Sequence, residues 1–442
     1  MKKQDQNNAS RRDFVINSSL MAGGLITAPL LSKANFFSGA EDTIKVAVVG
    51  CGGRGTGAAM QALSSKQNVK IVALCDAFKD NVDNCHKELT EEINNSIGEL
   101  AKRLDVPEER KFTGFDGYKK AIALADVVIL ATPPGFRPIH FEEAITQGKH
   151  VFMEKPVATD PAGVQKVLAT AAIAKQKKLN VVVGLQRHYQ NSYKELFKRK
   201  DLIGDITSMQ AWWDNDGVWT RPRKAGQTEM EYQMRNWYYF NWLCGDHITE
   251  QHIHNLDVIN WFKGSYPVKA QGFGGRQVRT SKEHGEIFDH HFVEFEYADG
   301  SILNSQCRHM PGTMSRVDEL LIGTKGRIAC GAAHIKDHNG KIIYQYDTKK
   351  ENNPYQTEHD ELFAAIAKGE YKFADAENGA KSTMTSILGR MATYSGQMVY
   401  WDKAIHSGID IHPKVYAWDA TPPVVPNADG SYPIAIPGIT KY

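Results

Sequence analysis

At 442 residues the chain is longer than one ordinary domain and long enough for two, each with its own buried core. Its 42% hydrophobic and 24% charged residues are ordinary for a globular protein. The net charge of +2 is uneven, because residues 1–40 carry +3 and the remainder −1; a near-neutral body with no basic stripe excludes nucleic acid or an anionic membrane as the main partner.

The first 40 residues read as an address. Ser10-Arg11-Arg12-Asp13-Phe14-Val15 is a twin-arginine signature, followed by an apolar stretch of small residues from Leu20 to Leu31. Ser32-Lys33-Ala34 and Ser38-Gly39-Ala40 each offer a cleavage site. The apolar run is shorter than the ~20 residues that a bilayer span takes. No cysteine lies near it for a lipid anchor, so no stable membrane anchor is expected. Residues 1–40 are therefore expected to direct the folded protein by the twin-arginine route to a periplasmic or secreted location.

Residues 41–186 alternate strand and helix. Ile44 to Val49, Ile71 to Leu74, Val127 to Leu130, Val151 to Met153 and Val181 to Val183 are short β-branched runs, with amphipathic stretches such as Pro161 to Lys178 between them. Strands with little alternation, separated by helices, predict a doubly wound parallel sheet of Rossmann type covered on both faces. Residues 80–112 are more polar than a crossover needs and read as a helical insertion.

The first strand runs into Gly50-Cys51-Gly52-Gly53-Arg54-Gly55, a G-x-G-x-x-G that opens a helix. The second strand ends in Asp76, 21 residues past Gly55. Gly50 permits the tight turn, Gly52 lets backbone approach a pyrophosphate, and Gly55 permits close helix–strand packing. The N–H groups around Gly53 and Arg54 face the anion. Asp76 would accept from ribose hydroxyls and repel a 2′-phosphate, so NAD is favoured over NADP. The next strand, third in this reading, ends in Ala131-Thr132-Pro133, which places Thr132 and Pro133 at the cofactor. The fourth ends in Glu154-Lys155-Pro156, where Lys155, beside the nicotinamide, can bond a substrate hydroxyl and bias its proton loss. If the protein is exported, a compartment without free nicotinamide nucleotide requires the NAD to stay tightly bound.

From 187 to 420 the texture changes. Ile206 to Trp213, Val268 to Gly274, Phe292 to Tyr297, Ile302 to Cys307 and Ile342 to Tyr346 resemble strands, with Ala298-Asp299-Gly300 as a hairpin signal. An α+β domain on a largely antiparallel, open sheet is expected. Trp212, Trp213, Trp219, Trp237, Tyr238 and Trp242 crowd one segment, and aromatic rings suit the C–H face of a sugar. His247, Glu250 and His254 fall at i, i+3 and i+7, one face of a helix, where a histidine oriented by a carboxylate makes a general base. Glu250 and His254 could also share an ion, but no third ligand is evident, although Asp289, His290, His291 and His309 lie downstream; no metal is assigned. The six cysteines show neither CxxC nor framework spacing. Residues 421–442 are proline-rich and read as an extended arm.

The fingerprint Gly50 to Gly55, the acid Asp76, Ala131-Thr132-Pro133 and Glu154-Lys155-Pro156, in this order, resemble the glucose–fructose oxidoreductase / inositol dehydrogenase (Gfo/Idh/MocA) family. Gly184-Leu185-Gln186-Arg187-His188 and Gly379 to Gly396 resemble its secreted bacterial branch. The resemblance implies a two-domain subunit whose open sheet joins a homodimer or homotetramer. It also implies oxidation of a hydroxyl on a sugar, glycoside or cyclitol by hydride transfer to NAD. The lysine of the Glu-Lys-Pro motif and a histidine in a D-x-x-x-H element act at the reacting carbon; here these are Lys155 and His254, with Glu250 where an aspartate is usual. Arg187, His188, Trp237, Tyr238 and His254 are the expected substrate contacts. Arg137 departs from a histidine that is common in its place. An NAD-dependent glycosidase, working by transient oxidation at C3 and elimination, is the second expectation, with Tyr238, His188 or His309 as the further base. A non-catalytic sugar-binding protein that keeps NAD as a structural element is the third.

Overall fold

The computed structural model describes residues 42–95 and 102–441, so the twin-arginine segment lies outside the described residues. The β-branched runs of the first half form a parallel sheet of β1 (Ile44–Val49), β2 (Val69–Asp76), β3 (Lys111–Thr113), β4 (Val127–Leu130), β5 (His150–Met153) and β6 (Val181–Val183). Its order is β3-β2-β1-β4-β5-β6, with every pair parallel. This is a Rossmann sheet whose direction of winding reverses between β1 and β4. Helices cover both faces, so β4 and β6 are buried at every residue, which is why their sequences carry no polar alternation. The insertion after β2 supplies the helix Lys79–Asn95 and then β3. With only three residues, none of them buried, β3 has no hydrophobic period to announce it, so the strands ending at Leu130 and Met153 are the fourth and fifth, not the third and fourth.

The second sheet contains β7 (Ile206–Asn215), β8 (Lys269–Gly275), β9 (His290–Glu296), β10 (Ile302–His309), β11 (Arg316–Gly323), β12 (Gly326–Ala329), β13 (His334–Asp337), β14 (Ile342–Gln345) and β15 (Val399–Tyr400). They are ordered β14-β13-β12-β11-β7-β10-β9-β8-β15. All pairs are antiparallel except β7 with β10. Gly300, at φ +82, turns the hairpin from β9 to β10. Strict alternation of buried and half-buried residues along β9 and β10 marks a sheet with one packed face. The packed face meets the helices Ile253–Lys263 and Ala376–Ser395, while the other leaves Phe273 65% exposed.

The helix Ala376–Ser395 is buried along most of its length and packs on both sheets' layers, which makes one continuous core of the two halves. After Trp401–Ile405 no further helix or strand occurs among the described residues. That segment runs back over the first half, with Trp418 against Phe78 and Phe115 at ring separations of 4.9 and 4.6 Å. All six cysteines are buried and unpaired. No helix among the described residues is long and apolar enough to cross a membrane.

Candidate active site

At the carboxyl end of β1 the glycines divide into two kinds. Gly50 sits at φ +100, and a Cβ there would stand 2.4 Å from both Ala131 C and Thr132 N. A Cβ on Gly55 would stand 1.8 Å from Gly50 O. These two are glycine because the turn, the helix and β4 touch. Around Gly52 and Gly53 a Cβ would meet nothing within 4 Å. That open space lies over the N-terminus of the helix Gly53–Leu63, where free N–H groups favour an anion.

Asp76 closes the other side of the loop. Its Oδ2 accepts from Cys51 N at 2.8 Å and its Oδ1 from Phe78 N and Asn81 Nδ2, both at 3.0 Å. Burial pushes its pKa up against these donors. Its oxygens keep lone pairs for further donors such as ribose hydroxyls. A cavity of about 750 Å³ extends from the loop past Asp76, Thr132 and Pro133 to Trp219, Arg221 and Trp237. Glycines open to the cavity, a helix N-terminus and a carboxylate at the end of β2 fit a dinucleotide without a 2′-phosphate.

Arg54 lines the cavity, but its guanidinium is held by Glu154, by Gln61 at 3.0 Å and by Glu358 at 3.3 Å. Glu154 therefore shapes the site through Arg54. Arg137, the departure noted in the sequence, is a buried clamp. Its Nε donates to Glu154 O at 2.9 Å and an NH2 to Thr132 O at 2.7 Å, which ties the carboxyl ends of β4 and β5 together.

Lys155 follows β5 and reaches Glu250. Its Nζ donates to Glu250 O at 2.5 Å and to Glu250 Oε1 at 3.0 Å, and both side chains are nearly buried. This corrects the expected arrangement in which Glu250 orients His254. The segment is two helices, His247–Glu250 and Ile253–Lys263, with a break at Gln251 and His252, so the i, i+3, i+7 face does not exist. His254 instead stacks on Trp213, 5.8 Å away with rings 24° apart, and its Nδ1 has no partner. Burial first, then the positive charges of Lys155, Arg187 and Arg54, hold its pKa well below the ordinary value. His254 is a neutral imidazole with an unengaged nitrogen.

The other expected contacts separate. Arg187 is engaged by Tyr193 and Glu319, and Glu319 also accepts from Asn255 at 2.7 Å. His188 turns from the cavity: its Nε2 meets Asp257 at 2.7 Å, its ring lies 4.2 Å from Trp261, and Asp257 is held by Asn378 and Ser382. Trp237 lines the cavity, edge-on to Trp219 at 5.9 Å. Tyr238 is buried behind it, stacked on His309 at 5.9 Å, with its hydroxyl unpartnered; burial and then the charge of Glu250 push its pKa up. Trp242 is core, donating to Gln233 at 2.8 Å, and Trp212 lies under Arg316 on the sheet. Sequence reasoning missed Phe78, Asn81 and Phe115 as cavity walls, because none of them belongs to a motif.

Comparison with known proteins bears on the same elements. Residues 44–185 match the Gfo/Idh/MocA oxidoreductase family, described by its NAD-binding Rossmann fold. Among curated relatives, the inositol 2-dehydrogenase of Ralstonia nicotianae is 27% identical over 58% of this chain and 65% of its own length. The 2,7-anhydro-N-acetylneuraminate hydratase of Mediterraneibacter gnavus is 22% identical over 70% of this chain and 84% of its own. The matches span about 60–65% of the length of the first curated relatives. The scyllo-inositol dehydrogenase of Lactobacillus casei, solved with NAD(H) and scyllo-inositol, superposes with a TM-score of 0.60 at 21% identity, over 82% of this chain and all of that one. At that identity the likeness shows a shared fold.

Proposed function

We propose, from the premise that residues 44–185 are the NAD-binding Rossmann domain of the Gfo/Idh/MocA oxidoreductase family, that the chain oxidises or reduces a ring hydroxyl of a sugar, glycoside or cyclitol. The observation that carries this reading is the neutral, unengaged imidazole of His254 near the Lys155 ammonium at the carboxyl end of the parallel sheet. Bound NAD supplies the hydride acceptor or donor. Lys155, fixed by Glu250, donates to the substrate oxygen and steadies its developing negative charge. His254 takes the hydroxyl proton; its low pKa keeps the nitrogen free to do so. Trp237 and Trp219 offer ring faces to a pyranose or cyclitol at the cavity's far side.

The inositol 2-dehydrogenase relatives support a cyclitol or sugar substrate. Incubation of the NAD-loaded protein with glycosides and inositols tests the reading: a keto product formed together with NADH supports it. No product from a wide panel, and unchanged behaviour of a Lys155→Met/His254→Asn double variant, would leave only sugar binding with a structural cofactor.

A redox-neutral elimination, as in an NAD-dependent glycosidase, is the second reading. Burial and then the charge of Glu250 hold the unpartnered Tyr238 hydroxyl as a neutral phenol beside His309, which suits a proton donor to a leaving oxygen. The hydratase relative fits chemistry without net oxidation. Release of an aglycone with no net NADH distinguishes it. Export by the twin-arginine route, with tightly held NAD, and assembly through the open sheet, where Phe273 stacks on Phe292 at 5.2 Å, complete the proposal. Native-export fractionation and mass photometry test these two.

A further inference from the structure

Behind the site lies a cluster that the chemistry above does not use. The side chains of Asp246, His247 and His291 are fully buried, and a ligating atom of each lies within 4.8 Å of the other two. Asp246 precedes the helix His247–Glu250 at φ +70, a left-handed conformation that a non-glycine residue adopts at a cost and that persists where the surroundings enforce it. His291 comes from β9.

His291 Nδ1 lies 2.9 Å from Thr393 Oγ1, which is also 3.1 Å from the carbonyls of Gly389 and Arg390. Its Nε2 faces Asp246 Oδ2 at 3.3 Å, poorly aligned for a hydrogen bond. That oxygen already accepts from the Tyr394 hydroxyl and Phe288 N–H. On the other side His247 Nδ1 lies 2.8 Å from Asp246 Oδ1, again outside hydrogen-bond geometry, and neither nitrogen of His247 has a partner. Buried imidazole nitrogens left without well-aligned partners beside a carboxylate are costly unless a cation lies among them. One ligand atom from each of the three residues lies within 4.8 Å of the other two, close enough to share an ion. Thr393 holds the outer nitrogen of His291, and Tyr394 and Phe288 steady the Asp246 carboxylate, as partners of metal ligands do.

We infer that Asp246, His247 and His291 form a mononuclear site for a divalent transition-metal ion such as zinc, iron(II) or manganese. Two imidazoles and one carboxylate suit these ions rather than magnesium or calcium. The unpartnered Nε2 of His309, whose ring stacks on His247 at 4.4 Å, offers a further donor. Since the three ligands are buried, the ion would brace the helix that carries Glu250 rather than meet substrate.

The test is metal analysis of the full chain purified without chelator, then stripped and titrated with cobalt(II), zinc, manganese or iron(II). About one equivalent per chain, visible cobalt(II) ligand-field bands and a raised Tm on reloading are expected. His291→Gln should abolish the bands while the circular dichroism and NAD binding persist. Thr393→Val, which leaves all three ligands, should weaken the metal by roughly 10–100-fold and serves if His291→Gln fails to fold. Uptake below about 0.1 equivalent with no Tm response in the wild type would overturn the site. So would stoichiometric binding that survives unchanged in both variants.

Discussion

Lys155 and Glu250 form a nearly buried pair, and His254 stands uncharged near Lys155. Removing one member of such a pair leaves the other charge stranded, which costs about 3–5 kcal/mol when burial is complete and less here. Lys155→Met should therefore lower Tm as well as reduce kcat by about 10²-fold or more, and Lys155→Met/Glu250→Gln should recover Tm but not kcat. Thermal melts beside initial rates separate the two effects. The depressed pKa of His254 has a kinetic sign: the base form survives acidification, so the acid limb of kcat/KM should fall below the ordinary histidine value of about 6.5. An acid limb at or above that value would remove His254 as the base. Lys155 was legible from its position after a strand. Its pairing with Glu250 was not, because that depends on the break at Gln251, and a helical spacing rule assumes no break.

Among the elements, the glycine turn makes the most discriminating forecast. Gly50→Ala must force a left-handed φ and overlap Ala131 and Thr132, so the protein should lose stability and NAD binding together. Gly52→Ala meets nothing in the protein, so it should keep its Tm and lose NAD affinity, because its methyl enters the space a diphosphate takes. Calorimetry with NAD and a melt for each variant read this out; equal behaviour of the two would mean the diphosphate is not there. The parallel strands β1, β2, β4, β5 and β6 were legible from β-branched runs, whereas β3, β11, β12, β13 and β15 were not. None of these carries such a run, and their pairing is decided by neighbours that a local pattern does not contain.

Over the whole molecule, several histidines are locked in neutral form. Burial lowers His140, His252 and His359 to about 3 and His150 to about 4. In the unfolded chain they take up protons below about 6.5, so the unfolded state binds more protons through the window from there down to 3–4. Stability should be full above that window and fall steadily as pH drops through it; Tm measured across pH 7 to 4 reports it, and a flat profile would contradict the burial. The alternation of strands and helices was enough to read two layered sheets from sequence. It said nothing of how the halves join, since the helix Ala376–Ser395 has polar residues such as Ser382 and Thr383 in its buried surface.

The path of the last segment has a consequence for maturation. Phe78 and Phe115, which wall the nucleotide cavity, are backed by Trp418, and Thr228 and Gln233 hold the backbone of Trp418 and Val424 in place. The pocket is thus finished by a stretch of chain synthesised long after its floor. A nascent or clipped polypeptide would present a half-built crevice, so full NAD affinity is expected only once the segment through Val424 is in place.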